Sequence, residues 1–148
     1  MEKYITYSEK ETENFAFNFA KKLNKDSILV LSGDLGTGKT RFMRGIASFF
    51  GIENDVSSPT FTVVNEYTPK KNNETISKIF HFDVYRLQNS DDFENSIGTD
   101  YFHQGICIIE WGEIIKDILP PRTIYIAIAR NNENNENERC ITISGGVQ

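Results

Sequence analysis

A run of eight residues, GDLGTGKT at 33–40, has the residue types and spacing of a phosphate-binding loop, G-x-x-x-x-G-K-[ST]. Glycine adopts positive φ angles at little cost, so such a loop can turn its backbone N–H groups inward around phosphate oxygens. Lys39 is then expected to reach the β- and γ-phosphates, and the Thr40 hydroxyl to ligate Mg²⁺. The motif therefore predicts a site for a nucleoside triphosphate with Mg²⁺. The expected contacts are Gly33, Asp34, Leu35, Gly36, Thr37, Gly38, Lys39, Thr40 and Arg41.

The segments on either side of this loop have the pattern that the motif requires. The apolar run at 28–31 predicts a buried strand before the loop. After it, bulky apolar residues recur at the helical spacing i, i+4, i+7 and i+8 from Phe42 to Phe50, and Gly51 is a typical helix stop. A helix that begins near Lys39 adds the positive end of its dipole to the phosphate site.

Hydrolysis of a triphosphate also requires an acid near the metal and a group that orients water. Glu110 is the best acid candidate because it ends the apolar run at 105–109, which is typical of a central strand covered on both faces. Ligands of open α/β sheets gather outside the carboxyl ends of the strands, where the phosphate loop also lies. We expect Glu110 to act on Mg²⁺ directly or through a water; the alternative is a strand-end carboxylate in solvent.

Three further residues are candidates for the same site. Asp83 alternates with His81 along a predicted strand, and we expect it to position the attacking water or to lie just outside the metal's direct ligands. His81 is more typical of a hydrogen-bonded core residue than of a ligand. Thr60 lies in a rigid Ser-Pro-Thr turn, and its hydroxyl is a candidate sensor of the γ-phosphate. Trp111 is either a core aromatic or part of a docking surface near the nucleotide.

The composition is that of one acidic globular domain. With 148 residues, 39% of them hydrophobic, the chain can bury a core of its own, and we expect a single domain over 1–148. The net charge of −5 argues against autonomous nucleic-acid binding, which needs a basic surface. The two cysteines lack CxxC spacing and indicate free thiols in a reducing compartment. No apolar run approaches the ~18 residues of a bilayer crossing, so we expect no membrane association and a cytoplasmic location.

The order of the predicted elements indicates an α/β fold. A capping box at 8–11 starts the first helix, and Asn89 is expected to cap a short one. Strands at 61–67 and 76–85 flank a polar segment and are expected to form an antiparallel hairpin. Two final strands alternate isoleucine on either side of a solvated polar loop at 131–138. The predicted fold is a three-layer α/β sandwich of the P-loop NTPase type with a mixed central β-sheet.

Five stretches of the chain together resemble the TsaE family, the ATPase subunits of the bacterial machinery that makes threonylcarbamoyladenosine in tRNA. They are GDLGTGKT at 33–40, SPTF at 58–61, HFDVYRL at 81–87, DYF at 100–102 and IEW at 109–111. The first stretch occurs in very many proteins, but the combination in this order is far more selective. The resemblance spans essentially the whole chain.

The resemblance implies a P-loop ATPase that binds ATP and Mg²⁺ and associates with TsaB and TsaD, of which TsaD transfers the threonylcarbamoyl group. Hydrolysis is implied to be weak alone, to support repeated turnover of that complex, and to involve tRNA only indirectly, through the complex. The implied ligands of Mg²⁺ are Thr40 and Glu110, and the catalytic residues are Lys39, Asp83 and Glu110. Thr60 is implied to lie in a switch-like segment, and Trp111 beside the nucleotide.

Other functions share a phosphate loop. A small-molecule kinase of the P-loop type needs an arginine-bearing lid, and no arginine-rich segment follows the central strand. A GTPase carries an N-K-x-D motif, whereas residues 24–26 lack the spacer and precede the loop. A nucleotide-dependent binding module with negligible hydrolysis stays open, because neither an obvious arginine finger nor a strong base is visible. Arg139 is a candidate contact to the nucleotide or to a partner.

Overall fold

Seven strands form one sheet in the part of the chain that the computed structural model describes, residues 1–33, 38–56, 64–85 and 87–146. In chain order they are β1 (Glu2–Thr6), β2 (Ile28–Ser32), β3 (Val64–Tyr67), β4 (Ile79–Asp83), β5 (Ile106–Glu110), β6 (Ile124–Arg130) and β7 (Arg139–Gly145). Across the sheet their order is β1-β7-β6-β2-β5-β4-β3. The four middle strands are parallel, and the outer pairs are antiparallel. The predicted mixed sheet is confirmed, and so is the hairpin of β3 and β4.

Three α-helices and two 3₁₀ helices connect these strands within the same described residues. They are α1 (Glu9–Ala20), α2 (Lys39–Phe49), α3 (Ser90–Ser96) and the 3₁₀ helices Thr99–His103 and Gly112–Ile118. As predicted, Ser8 caps α1 by accepting from the Glu11 amide at 3.1 Å, and Asn89 caps α3 by accepting from the Asp92 amide at 3.0 Å. None of the described helices is long and apolar enough to span a bilayer.

The sheet separates two hydrophobic cores, which gives the fold its three layers. The core under α1 and α2 includes Phe19, Leu29, Leu31, Phe42, Ile46, Phe50, Ile79 and Ile108. The core under α3 and the 3₁₀ helices includes Ile28, Phe80, Phe82, Phe93, Phe102, Cys107 and Ile109. Strands β2 and β5 contribute alternate residues to both cores, which is why their sequences are apolar at successive positions. The predicted three-layer α/β sandwich is therefore confirmed.

The second strand of the predicted hairpin is shorter than expected, Ile79–Asp83 within the predicted 76–85. Strand β3 is described from Val64, because residues 61–63 lie outside the described part of the chain, and it pairs with β4 only as far as Tyr67 opposite Ile79. Ile76 was predicted to begin the second strand, but its amide donates to the Asn73 carbonyl in a turn. Its side chain is nevertheless buried in the core under α1 and α2. The apolar pattern therefore extends beyond the backbone pairing.

Helices α1 and α2 approach each other closely at Gly45. A Cβ atom at this position would lie 2.3 Å from the Glu13 carbonyl oxygen and 2.7 Å from the Cβ of Ala16. Arg41, one turn earlier on α2, makes 3.0 Å ion pairs with Glu9 and Glu13 of α1. These contacts fix the position of α2, and with it the position of the residues at its first turn.

Gly45→Ala is expected to destabilise the protein by about 1–3 kcal/mol, because the added methyl group overpacks the helix crossing. This loss opposes the roughly 1 kcal/mol that alanine gains over glycine in a helix interior. Urea unfolding of the variant measures the difference. Ser48→Ala, on the same helix away from the crossing, is the matched control and is expected to change stability by less than about 0.5 kcal/mol. Equal stability of Gly45→Ala and the parent would contradict the close crossing.

Candidate functional site

Two acidic residues meet at the carboxyl edge of the parallel strands. In the sheet register Leu31 of β2 lies beside Glu110 of β5, and Glu110 lies beside Asp83 of β4. Because side chains alternate along a strand, both acids fall on the face that carries Ile108, under α1 and α2. The structure therefore brings Asp83 and Glu110 together at the edge from which residues 33–40 leave β2, as predicted.

Helix α2 begins at this edge with an N-terminus that its capping residue leaves open. The N-cap is Gly38, which adopts the left-handed conformation at φ 113° and has no side chain to accept from the first-turn amides. Helices α1 and α3 are different, because Ser8 and Asn89 cap them with side-chain oxygens. Gly33, at the other end of the loop, also has a positive φ, of 149°. Open amides and the positive end of the helix dipole suit an anion.

Lys39, the first residue of α2, lies against the acidic pair. Its Nζ is 3.7 Å from Glu110 Oε1, and the two side chains are only 14% and 18% exposed. The same Nζ lies 5.3 Å from the centre of the Trp111 ring, within cation–π distance. A charge-assisted hydrogen bond is shorter, about 2.7–2.9 Å. The contact is therefore an electrostatic pair that Lys39 can exchange for another anion.

His81 contacts the other oxygen of Glu110. Its Nε2 lies 2.8 Å from Glu110 Oε2, and the residue is only 3% exposed. Burial by itself raises the pKa of Glu110, but the hydrogen bond from His81 and the ammonium of Lys39 outweigh it and bring the pKa below its ordinary 4.5. Glu110 is thus a partly buried carboxylate with two partners, and not a strand-end carboxylate in solvent. His81 is a hydrogen-bonded core residue, as predicted.

The pKa of Asp83 is shifted in the opposite direction from that of Glu110. Burial raises the pKa of Asp83 above its ordinary 3.8; the Tyr85 amide, which donates to Oδ1 at 3.2 Å, lowers it, and the neighbouring Glu110 charge raises it. Two adjacent carboxylates whose environments move their pKa values apart are typical of sites with acid–base chemistry.

Two cavities flank Lys39. The larger one, about 380 Å³, lies between α1, the start of α2 and the start of β7, and its described lining includes Gly38, Thr40, Asp83 and Trp111. The smaller one, about 80 Å³, is lined by Thr40, His81 and Glu110, among others. Thr40 borders both cavities.

A still larger cleft of about 1030 Å³ lies at the opposite edge of the sheet, near Ser27 and Arg122. The Arg122 guanidinium there donates to the carbonyl oxygens of Asp26 and Phe102, at 2.8 and 2.9 Å. The Arg122 charge is therefore used in contacts within the fold, and the described lining of this cleft contains no pair of acids like Asp83 and Glu110.

Trp111 is a surface residue and not a core aromatic. It is 50% exposed and has a left-handed backbone, with φ 64° and ψ 25°, which is uncommon for a bulky side chain. Gly112, which follows, packs so closely on Val30 that a Cβ there would lie 2.8 Å from Val30 Cγ2. Such a conformation at the rim of a cavity indicates a functional constraint on the position of Trp111.

Arg41 and Arg139, which the sequence analysis named as candidate contacts, both border the larger cavity. The Arg41 guanidinium also makes ion pairs with Glu9 and Glu13 of α1. Arg139 is 9% exposed, donates to the Glu138 carbonyl at 3.0 Å, and has its Nε 3.7 Å from where a Cβ of Gly38 would lie. The polar loop at 131–138 therefore borders the site, although its low-complexity sequence carries no signal for this.

The remaining predicted contacts lie outside the described residues and stay predictions. They are Asp34, Leu35, Gly36, Thr37 and Thr60.

A model of the family described as "Threonylcarbamoyl adenosine biosynthesis protein TsaE" matches residues 6–141 of the chain. The chain belongs to the TsaE family. Among its relatives is the tRNA threonylcarbamoyladenosine biosynthesis protein TsaE of Bacillus subtilis, 38% identical over 144 residues, which are 96% of this chain and 84% of the relative. The protein of the same name from Rickettsia prowazekii is 40% identical over 121 residues, 80% of each chain. The predicted family is thus confirmed.

The fold agrees with this family assignment. A crystal structure of YdiB from Bacillus subtilis matches with a TM-score of 0.73 and 33% sequence identity, covering 99% of this chain and 86% of that one. The family is one of tRNA threonylcarbamoyladenosine biosynthesis.

The opposite pKa shifts of the two acids predict opposite effects on stability. The raised pKa of Asp83 means that its negative charge destabilises the fold above about pH 4. Asp83→Asn is therefore expected to melt on the order of 1–3 °C higher than the parent at pH 7.5. The shift is small because the carboxyl group is partly solvated. The lowered pKa of Glu110 means that its carboxylate stabilises the fold above pH 4.5, so Glu110→Gln is expected to melt lower.

Both differences are expected to shrink as the pH falls through the two pKa values, because protonation removes the charges that the variants lack. Calorimetric melting of the parent and both variants between pH 3.5 and pH 7.5 measures them. Shifts of the same sign in the two variants would contradict the described environments.

Proposed function

We propose that this protein binds ATP with Mg²⁺ at the carboxyl edge of β2, β5 and β4 and hydrolyses it there. The observation that carries the proposal is the convergence of Lys39, the open N-terminus of α2 and Glu110 around one cavity, directly after the phosphate-loop sequence. The choice of ATP over other triphosphates rests on the family resemblance.

The residues fit a triphosphate and a hard cation. Lys39 and the first-turn amides of α2 supply positive charge and donors for phosphate oxygens. Thr40 and Glu110 supply oxygen atoms, the ligands that Mg²⁺ prefers, and both line the same two cavities. Thr40 and Glu110 would hold the ion, and a bound Mg²⁺ would supply positive charge to the phosphate oxygens.

In this proposal each residue has a separate task. Lys39 leaves Glu110 Oε1 for a phosphate oxygen, and the freed carboxylate oxygen faces the cavity that Thr40 lines. Asp83, whose raised pKa makes it a better proton acceptor than an ordinary aspartate, holds the attacking water. Both acids act from strand ends, which are rigid supports for such positioning.

Membership of the TsaE family associates the chain with threonylcarbamoyladenosine biosynthesis, and we infer that its partners are TsaB and TsaD, with tRNA bound only through their complex. Trp111 and Tyr85 support a partner surface, because both lie by the acidic strand ends and are 50% and 49% exposed. The net charge of −5 supports indirect rather than direct contact with tRNA.

A nucleotide-dependent binding module with negligible hydrolysis is the second candidate. The observation that favours it is the pairing of both Glu110 oxygens, one with His81 and the other with Lys39. A carboxylate that stays in these contacts after nucleotide binding cannot assist hydrolysis.

Lys39→Ala is expected to weaken ATP binding by about 10- to 100-fold, because it removes the ammonium that contacts the phosphates. Calorimetric titration with ATP and with GTP measures the affinity and the base preference together. Lys10→Ala, an exposed lysine of α1, is the control and is expected to bind as the parent does. An unchanged ATP affinity in Lys39→Ala would contradict the proposed phosphate site.

Glu110→Gln is expected to retain ATP binding and to lose at least about 10²-fold in turnover, because the amide is neutral and a poor metal ligand. Turnover is measured with TsaB, TsaD, tRNA and a supply of threonylcarbamoyl-adenylate. The parent is expected to sustain many rounds of tRNA modification, and the variant few. Multiple rounds without this protein would refute the proposed role, and parent-like rounds with Glu110→Gln would favour the binding module.

A further inference from the structure

His81 makes a hydrogen bond at the centre of the site that the binding of a nucleotide does not by itself require. We propose that His81 is a positioning residue, which fixes Glu110 Oε2 so that Oε1 alone exchanges between Lys39 and the metal ion bound with the nucleotide. The inference rests on the proposed function, since it concerns the same site. It adds that the two oxygens of the Glu110 carboxylate have different roles.

The geometry separates the two oxygens of Glu110. His81 Nε2 lies 2.8 Å from Oε2, a normal hydrogen-bond distance, whereas Lys39 Nζ lies 3.7 Å from Oε1. Strand β4 presents His81 from within the sheet, where it pairs with Ile108 of β5 and is almost completely buried. The shorter contact therefore comes from His81 in the rigid sheet, and the longer contact comes from the flexible Lys39 side chain.

Packing alone does not account for a histidine at this position. The neighbouring positions on the same face of the sheet, Ile79 in β4 and Ile108 in β5, are fully buried isoleucines of the core under α1 and α2. A buried imidazole is costly unless its polar atoms are paired, and a branched apolar residue would fill the space without that cost. Glu110 is the group that makes a polar side chain useful there.

The partner of Nε2 indicates which ring nitrogen donates. A carboxylate oxygen can only accept, so the hydrogen bond to Glu110 Oε2 requires a proton on His81 Nε2. His81 Nδ1 is buried and has no hydrogen-bond partner among the residues that the structure describes. The ring is therefore a donor aimed at Glu110 Oε2, as in many sites where a buried partner orients a metal-binding group.

The consequence is a carboxylate that does not rotate when its partner changes. Lys39 lies beside Oε1, and it must leave this oxygen to contact a phosphate. With Oε2 held by His81, the freed Oε1 keeps its direction toward the cavity that Thr40 lines. Without His81, Glu110 can rotate and pair with Lys39 through both oxygens, which competes with the metal.

The test compares two variants of His81 with a control from the same strand. His81→Leu removes the hydrogen bond, and His81→Gln restores it, because the glutamine Nε2 is separated from the backbone by the same number of bonds. Phe82→Leu is the control, since Phe82 is equally buried in β4 but faces the other core. Mn²⁺ affinity is measured by electron paramagnetic resonance in the presence of a non-hydrolysable ATP analogue, and metal-free nucleotide affinity by calorimetry.

We expect His81→Leu to weaken Mn²⁺ binding by about 10- to 100-fold, the range for the loss of a residue that orients a metal ligand. His81→Gln is expected to recover to within a few-fold of the parent. Metal-free nucleotide affinity is expected to change far less in both, because Lys39 and the α2 amides contact the phosphates. Nitrogen-15 spectra of the metal-free protein are expected to show the proton of His81 on Nε2.

Parent-like Mn²⁺ affinity in His81→Leu overturns the proposal. So do equal losses in His81→Leu, His81→Gln and Phe82→Leu, because the loss would then follow stability and not the hydrogen bond. If His81→Leu does not fold, the proposal is tested by the Mn²⁺ affinity of His81→Gln relative to the parent and by the position of the ring proton. An Nε2 without a proton refutes the proposal. A parent that binds neither nucleotide nor Mn²⁺ overturns the proposed function as well, whereas a parent that binds both isolates the failure to His81.

Discussion

The parallel pairing of β2, β5 and β4 is the constraint on which the site depends, because it places the ends of three strands side by side. A shift of β5 by one residue would turn Glu110 to the opposite face, into the core of Phe82 and Phe93. Gly105 helps to prevent this shift, since a Cβ there would lie 2.3 Å from the Lys78 carbonyl oxygen. The start of β5 is thus held against the residue that precedes β4, and the two acids stay in register.

The strand register brings Glu110 and Asp83 together in partly buried positions, where a charge is costly. Glu110 is compensated from two directions, by a hydrogen bond from the sheet and by the ammonium of α2, and its pKa falls. Asp83 is less well compensated, and its pKa rises. Residues that oppose stability in this way are tolerated where they serve a function, and both acids lie at the edge of the sheet where α2 begins.

The two faces of the sheet contribute differently. On one face α1 and α2 cross at Gly45 and are joined by Arg41, which fixes α2 against α1. On the other face the layer consists of α3 and the 3₁₀ helices, and the turn at Trp111 leaves a large aromatic ring exposed at the cavity rim. The rigid start of α2 thus lies beside an exposed aromatic side chain, which is the arrangement that the proposed nucleotide site and partner surface use.

The sequence by itself determined the parts that depend on local spacing. The strand and helix on either side of the loop motif, the helix caps, the hairpin and the acid at the end of the central strand all follow from motifs or periodicity within a few residues. Only the tertiary structure decided which groups meet: His81 and Glu110 are 29 residues apart in the chain, Arg41 and Glu13 are 28 apart, and Arg139 reaches Gly38 from the far end of a low-complexity loop. No local pattern contains these pairings, because they are set by strand order and register, which depend on the packing of both cores at once.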